Sequence, residues 1–147
     1  MRCVVQDPTA YVFGGVCGNA GLFSTVTDIK TFMRMMLNKG THIQANGSTV
    51  QIFNSSTVEL FTTRASDVSY PNSRALGWDT IPLQYPTPCG QKFSANSFGH
   101  TGYTGTTVWA DKDKDIAIVA LTNRVFPDAY SKITGHSILW FRNNIFN

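Results

Sequence analysis

Among the 147 residues, one segment has residue types and spacing suited to chemistry: Gly99-His100-Thr101-Gly102-Tyr103-Thr104-Gly105-Thr106-Thr107. One reading makes it a glycine-rich bend between two strands, with His100 a surface or internally satisfied histidine. The other makes it a strand end whose backbone N–H groups line a pocket. Glycines would let a substrate lie against the strand, and His100 would add a polar side chain. A backbone donor just past Gly102 would then stabilise an oxyanion during acyl transfer.

Other constellations fail on their own chemistry. Asp111-x-Asp113-x-Asp115 imitates the opening of a calcium loop, but the positions that need Gly and Glu hold Ile116 and Thr122. The run reads instead as a solvated turn. Gly15, Gly18 and Gly21 lack the G-x-G opening and preceding strand of a dinucleotide loop. His42, His100 and His136 have no metal-ligand spacing, so no metal or other cofactor is expected. Neither a Walker A sequence nor a G-x-S-x-G elbow occurs.

Positioning His100 requires strands, and three candidates lie close together at 98–101, 106–110 and 116–122. The charged run Asp111 to Asp115 separates the last two as a hairpin turn. Ile116-Ala117-Ile118-Val119-Ala120-Leu121 is apolar at consecutive positions, which predicts burial on both faces and a strand neighbour on each side. No convincing strand stands upstream, and an unpaired edge of this composition is an aggregation hazard.

Ahead of the strands the chain reads as helical. The stretch from Gly14 to Thr25 holds enough glycine to mark sharp turns or close backbone approach. Ser24 or Thr25 caps a helix with Asp28 in its first turn, and Ile29, Phe32, Met33, Met36 and Leu37 form its buried face. Gly40 ends it. A shorter helix begins near Ser56-Thr57-Val58-Glu59, which has capping-box spacing, with Leu60 and Phe61 as its apolar side. Pro82, Pro86 and Pro88 break up an irregular stretch. A final helix carries Tyr130, Ile133, Ser137, Trp140 and Phe141 on one face, weakened at Gly135.

Composition narrows the function classes. Hydrophobic residues make up 42% and charged residues 14%, which excludes a disordered tail. The net charge of +3 comes from scattered basic residues, unlike the concentrated stripe that nucleic acid requires. No apolar run reaches the roughly 18 residues of a membrane span, and the first residues form no secretory h-region. Cys3, Cys17 and Cys89 are an odd count at irregular spacing and are expected as buried free thiols. The glycosylation matches at Asn46 and Asn54 bear on the protein only if it is secreted, so the compartment stays open.

Taken together, five blocks in order resemble the C-terminal part of the serine β-lactamase-like family, which includes class C β-lactamases, D-Ala-D-Ala peptidases and related esterases. They are Asp7-Pro8-Thr9-Ala10, then Gly14-Gly15 through Gly21-Leu22-Phe23-Ser24-Thr25 with Asp28, and Arg74-Ala75-Leu76-Gly77-Trp78-Asp79. Gly99-His100-Thr101-Gly102 with Thr104-Gly105-Thr106, and Leu121-Thr122-Asn123-Arg124, complete the series. The resemblance implies a cleft between an antiparallel sheet and a helical lobe. A Ser of an S-x-x-K motif attacks the acyl carbonyl there, with Lys and the Tyr of a Y-x-N motif handling protons. His100-Thr101-Gly102 would be the third motif, usually K-T-G. His100 and Thr101 would contact substrate or the proton network, and the Tyr103 N–H would be one of two oxyanion donors.

The chain departs from the family pattern in what it lacks. No Ser is followed three residues later by Lys, and Tyr70-Pro71-Asn72 lies in the wrong order to be the family Y-x-N. Asn19 stands where related sequences commonly carry His. The expectation is therefore an α+β partial β-lactamase/transpeptidase-like fold: helices, then a short antiparallel sheet with a packed C-terminal helix. Residues 1–147 would form the C-terminal portion of one domain, with about 1–74 in the helical lobe and about 75–147 supplying sheet strands and the last helix. The chain would be a C-terminal fragment or truncated product, inactive alone, whose amide or ester substrate binds once the missing N-terminal part completes the cleft. The alternative is a non-catalytic binding or regulatory module, with a partner chain adding to the 116–121 strand edge.

Overall fold

A computed structural model describes residues 3–65, 74–81 and 92–127. Three helices precede most of the strands: α1 (Pro8–Val12), α2 (Val26–Leu37) and α3 (Ser55–Thr62). A small antiparallel hairpin, β1 (Thr41–Ile43) and β2 (Thr49–Gln51), joins α2 to α3. The main sheet is β3 (Asp79–Thr80), β4 (Ser97–Thr101), β5 (Thr107–Asp111) and β6 (Ile116–Ala120), antiparallel throughout and arranged in chain order. The fold class is α+β, as expected of part of a β-lactamase-like fold. The expected final helix, the proline-broken stretch, Cys89 and Tyr70-Pro71-Asn72 lie outside the described residues.

Local chemistry accounts for most helix boundaries. Asp7 caps α1 by accepting the Ala10 N–H at 2.8 Å, with Pro8 at the first helical position, where a missing N–H costs nothing. Thr25 caps α2: its Oγ1 accepts the Asp28 N–H at 3.2 Å and donates to the Asp28 carboxylate at 2.9 Å. The end of α2 is a Schellman motif, with Gly40 N–H donating to the Met35 carbonyl and Lys39 N–H to the Met36 carbonyl. Lys39 itself takes the left-handed conformation, with Gly40 following.

Several sequence expectations need correction. Met33, Met35 and Met36 are the buried residues of α2, whereas Phe32 is 39% exposed and reaches sideways to stack on Trp78. The helix lies flat on β5 and β6, so its buried stripe centres one residue away from Phe32. α3 begins after Asn54, so Ser56 and Glu59 form no capping box; Glu59 instead accepts from the Thr63 hydroxyl and from Lys112. Leu60 and Phe61 face outward, because Val58 and Thr62, one turn apart, are the residues turned to the core. Cys3, near the start of the chain, and Cys17, on the glycine-rich segment, are both exposed rather than in the core.

The sheet has two unlike faces. Phe98, Ala110, Val108 and Ala117 meet Met33, Met36 and Val58 on the helix side, while Trp109 anchors the other face with Ile81, Phe93 and Ile118. Side chains alternate along each strand, so His100, two residues from Phe98 and paired with Val108, belongs to the helix-side face. β6 was expected to be buried on both faces between two neighbours. It pairs with β5 alone among the described strands, and its residues are half-buried, with Ile116 42% exposed.

The run Asp111 to Asp115 forms the β5–β6 turn, but its first member is not solvated. Asp111 is completely buried, and its carboxylate accepts from Ser94 Oγ at 2.7 Å, Ser94 N–H at 2.8 Å, and the Asp113 and Lys114 N–H groups. Burial pushes its pKa up, and this shell of donors more than offsets that, so the carboxyl lies below its ordinary value. The outer turn ties down both long helices: Asp115 pairs with Arg34 of α2 at 2.6 Å, and Lys112 with Glu59 of α3 at 3.2 Å.

Candidate functional site

The β4–β5 connection is built to present backbone. Thr101 pairs with Thr107 as the last rung of the ladder, and Gly102 N–H donates to the Thr106 carbonyl at 2.8 Å. Gly105 N–H then donates to the Gly102 carbonyl at 3.0 Å, closing a turn with Tyr103 and Thr104 at its corners. Gly102 leaves room for the Thr106 hydroxyl: a Cβ there would stand 2.2 Å from Thr106 Oγ1, which would have to rotate away.

This turn fixes where the Tyr103 N–H points. In a trans peptide the N–H is antiparallel to the preceding C=O. The Gly102 carbonyl turns inward to Gly105, so the Tyr103 N–H is directed out of the turn. Among the described residues it donates to no acceptor. An outward, unpaired N–H on a braced turn is the geometry that oxyanion stabilisation needs. The Tyr103 side chain is 54% exposed.

His100 stands one residue before the strand ends, with both ring nitrogens engaged. Nδ1 lies 2.9 Å from the Thr101 carbonyl, which can only accept, so Nδ1 carries the proton. Nε2 lies 3.1 Å from Arg74 Nη1, which can only donate, so Nε2 offers its lone pair. Arg74 is held in turn by a 2.9 Å ion pair from its Nε to Asp79, across the isolated bridge that joins the two residues. The result is a chain of contacts, Asp79–Arg74–His100, running toward the β4 end. The side chain of Arg74 stays 53% exposed.

The sequence assigned His100, Thr101, Gly102 and Tyr103 to one place, and they are contiguous at the end of β4. Arg74 and Arg124 were missed as site residues, although both sit in blocks that carry the resemblance. Arg124 donates through Nε to the Tyr103 carbonyl at 2.5 Å, with its guanidinium 4.4 Å from the Tyr103 ring centre. Nothing in local spacing ties either arginine to the site, because His100 and Tyr103 lie 26 and 21 residues away from them in sequence. Among the described residues no group of three His, Cys, Asp or Glu side chains could hold a metal ion. No described helix is long and apolar enough to cross a membrane.

Comparison with known proteins identifies the family. The beta-lactamase family model matches residues 2–139. An Escherichia coli (strain K12) protein named "Putative D-alanyl-D-alanine carboxypeptidase" is 39% identical over 122 residues. A Salmonella agona (strain SL483) protein of the same name is 40% identical over 123 residues. Each alignment covers 82% of this chain and 26% of the relative, so the chain spans about a quarter of the length of these relatives. With the matched region taking in every described element and the whole segment from His100 to Tyr103, the chain belongs to the beta-lactamase family.

Proposed function

We propose that this chain forms the sheet-side wall of a serine hydrolase cleft acting on amide or ester bonds through an acyl-enzyme. The observation that carries the reading is the Tyr103 N–H, directed out of a turn whose four carbonyls, Gly102 to Gly105, are all engaged. It would supply one of two oxyanion donors, the other belonging to the nucleophile's own backbone. His100 and Thr101 would border the acyl group.

The relatives' name points to peptides ending in D-alanyl-D-alanine. Such a substrate carries a terminal carboxylate, and the half-exposed Arg74 guanidinium beside His100 is a suitable charge to meet it. The 147 residues contain no S-x-x-K, so the nucleophile would come from outside them and the chain would be inactive alone. On this reading residues up to about 74 belong to the helical lobe, and those from about 75 onward to the sheet.

Titrating the 15N-labelled chain with a millimolar peptide ending in D-alanyl-D-alanine tests the assignment. Amide shifts should move at His100, Thr101, Tyr103 and Thr104 and stay fixed at the β1–β2 hairpin. Movement confined to other surfaces would overturn it. The half-exposed β6 favours a second reading, a binding module that takes a partner strand at residues 116–121.

A further inference from the structure

The turn that presents the Tyr103 N–H is held from outside as well as from within. Immediately after β6 the chain runs past it and engages three successive carbonyl groups. Arg124 Nε–H donates to Tyr103 O at 2.5 Å, Arg124 N–H to Thr104 O at 2.9 Å, and Thr122 Oγ1–H to Gly105 O at 2.7 Å. The Arg124 guanidinium also covers the Tyr103 ring at 4.4 Å, a cation–π distance. Counting the Gly105 N–H on Gly102 O, all four carbonyls from Gly102 to Gly105 are occupied.

We propose that Thr122 and Arg124 act as a strap that pre-orients the Tyr103 N–H, making Arg124 a positioning residue for the oxyanion donor. The physical need is specific. A two-glycine turn pays a large conformational entropy to hold one orientation, and left unstrapped it would let the Tyr103 peptide rotate. A donor that reorients when charge develops is worth far less than one already fixed. The strap starts where β6 ends, so the register of β5 with β6 sets the position of Arg124 relative to the turn. The guanidinium does two jobs that a lysine ammonium cannot do together, donating in plane to the carbonyl and lying flat on the ring.

The proposal rests on the reading of Tyr103 as an oxyanion donor, but its test reads the turn directly. Backbone order parameters are measured on the full 147-residue chain and on Arg124→Ala, Arg124→Lys and Thr122→Val. In the unsubstituted chain Tyr103, Thr104 and Gly105 should sit near the rigid value of about 0.85. Arg124→Ala should drop Tyr103 and Thr104 below about 0.6, with the Phe98 and Trp109 amides unchanged. Arg124→Lys should restore part of that order, and Thr122→Val should loosen Gly105 most. Unchanged order at residues 103–105 in both Arg124→Ala and Thr122→Val would overturn the strap. If Arg124→Ala also shifts Phe98 and Trp109, the milder Arg124→Lys and Thr122→Val variants decide the outcome by the same criterion. A chain that never shows hydrolase activity would leave this result standing, so the two readings fail separately.

Discussion

At Gly99 a single added methyl group would stand 2.3 Å from the Val108 carbonyl oxygen and 2.4 Å from the Trp109 ring. The site's strand thus depends on a residue with no side chain, because Trp109 fills the space beside it. Gly99→Ala should destabilise the fold by on the order of 1–3 kcal/mol, read as a lower urea midpoint with an unchanged slope. Asp111 is the second residue whose chemistry reaches the whole sheet. Its carboxyl is held below its ordinary value of 3.8, against burial, by donors from Ser94, Lys114 and Asp113. The stabilisation is therefore complete above that unfolded value and lost as pH falls through the lower folded value. Acid titration of stability should show this loss below pH 3.8, and Asp111→Asn should flatten it. The segment from His100 to Tyr103 stood out as a candidate because its glycines and histidine are adjacent in sequence. The same could not hold for Arg74 and Arg124, because folding alone brings their site partners, His100 and Tyr103, within reach.

At the scale of elements, the cap of α2 was readable from its sequence, whereas the start of α3 and the buried faces of both helices were not. Thr25 and Asp28 bond reciprocally at the start of α2, so Thr25→Ala should cost about 1 kcal/mol, measured by thermal or urea unfolding. Met33 is fully buried against the sheet, and Met33→Ala should cost more, about 2–5 kcal/mol. α3 was misread because eight residues give too short a period to choose between Leu60–Phe61 and Val58–Thr62 as the inner face. The β1–β2 hairpin was missed although Asn46-Gly47 lies between β-branched residues, a spacing that marks a tight turn. Gly99-His100-Thr101 and its partner strand were read correctly because aromatic and β-branched residues concentrate there.

The molecule as a whole exposes much apolar surface: Val12, Val16 and Leu22 are each more than 80% exposed, and Leu60 is 62% exposed. Exposure on this scale favours association. Sedimentation velocity of the 147-residue chain should show self-association that grows with concentration, and a single monomeric species across the range would contradict this. The fold class and the family were legible at this scale from five short blocks in order, because each corresponds to a turn, cap or strand end with a strict local requirement. The candidate site has an outward Tyr103 N–H and a histidine in contact with Arg74, which pairs with Asp79, and the sequence holds no S-x-x-K. On the proposed reading, the chain provides the receiving wall of the cleft without the attacking group. Treating the purified chain with a fluorescent penicillin and with a fluorophosphonate, followed by peptide mapping, tests it most directly. No serine should carry label, and stoichiometric label on any serine of the 147 residues would show that the chain holds its own attacking group.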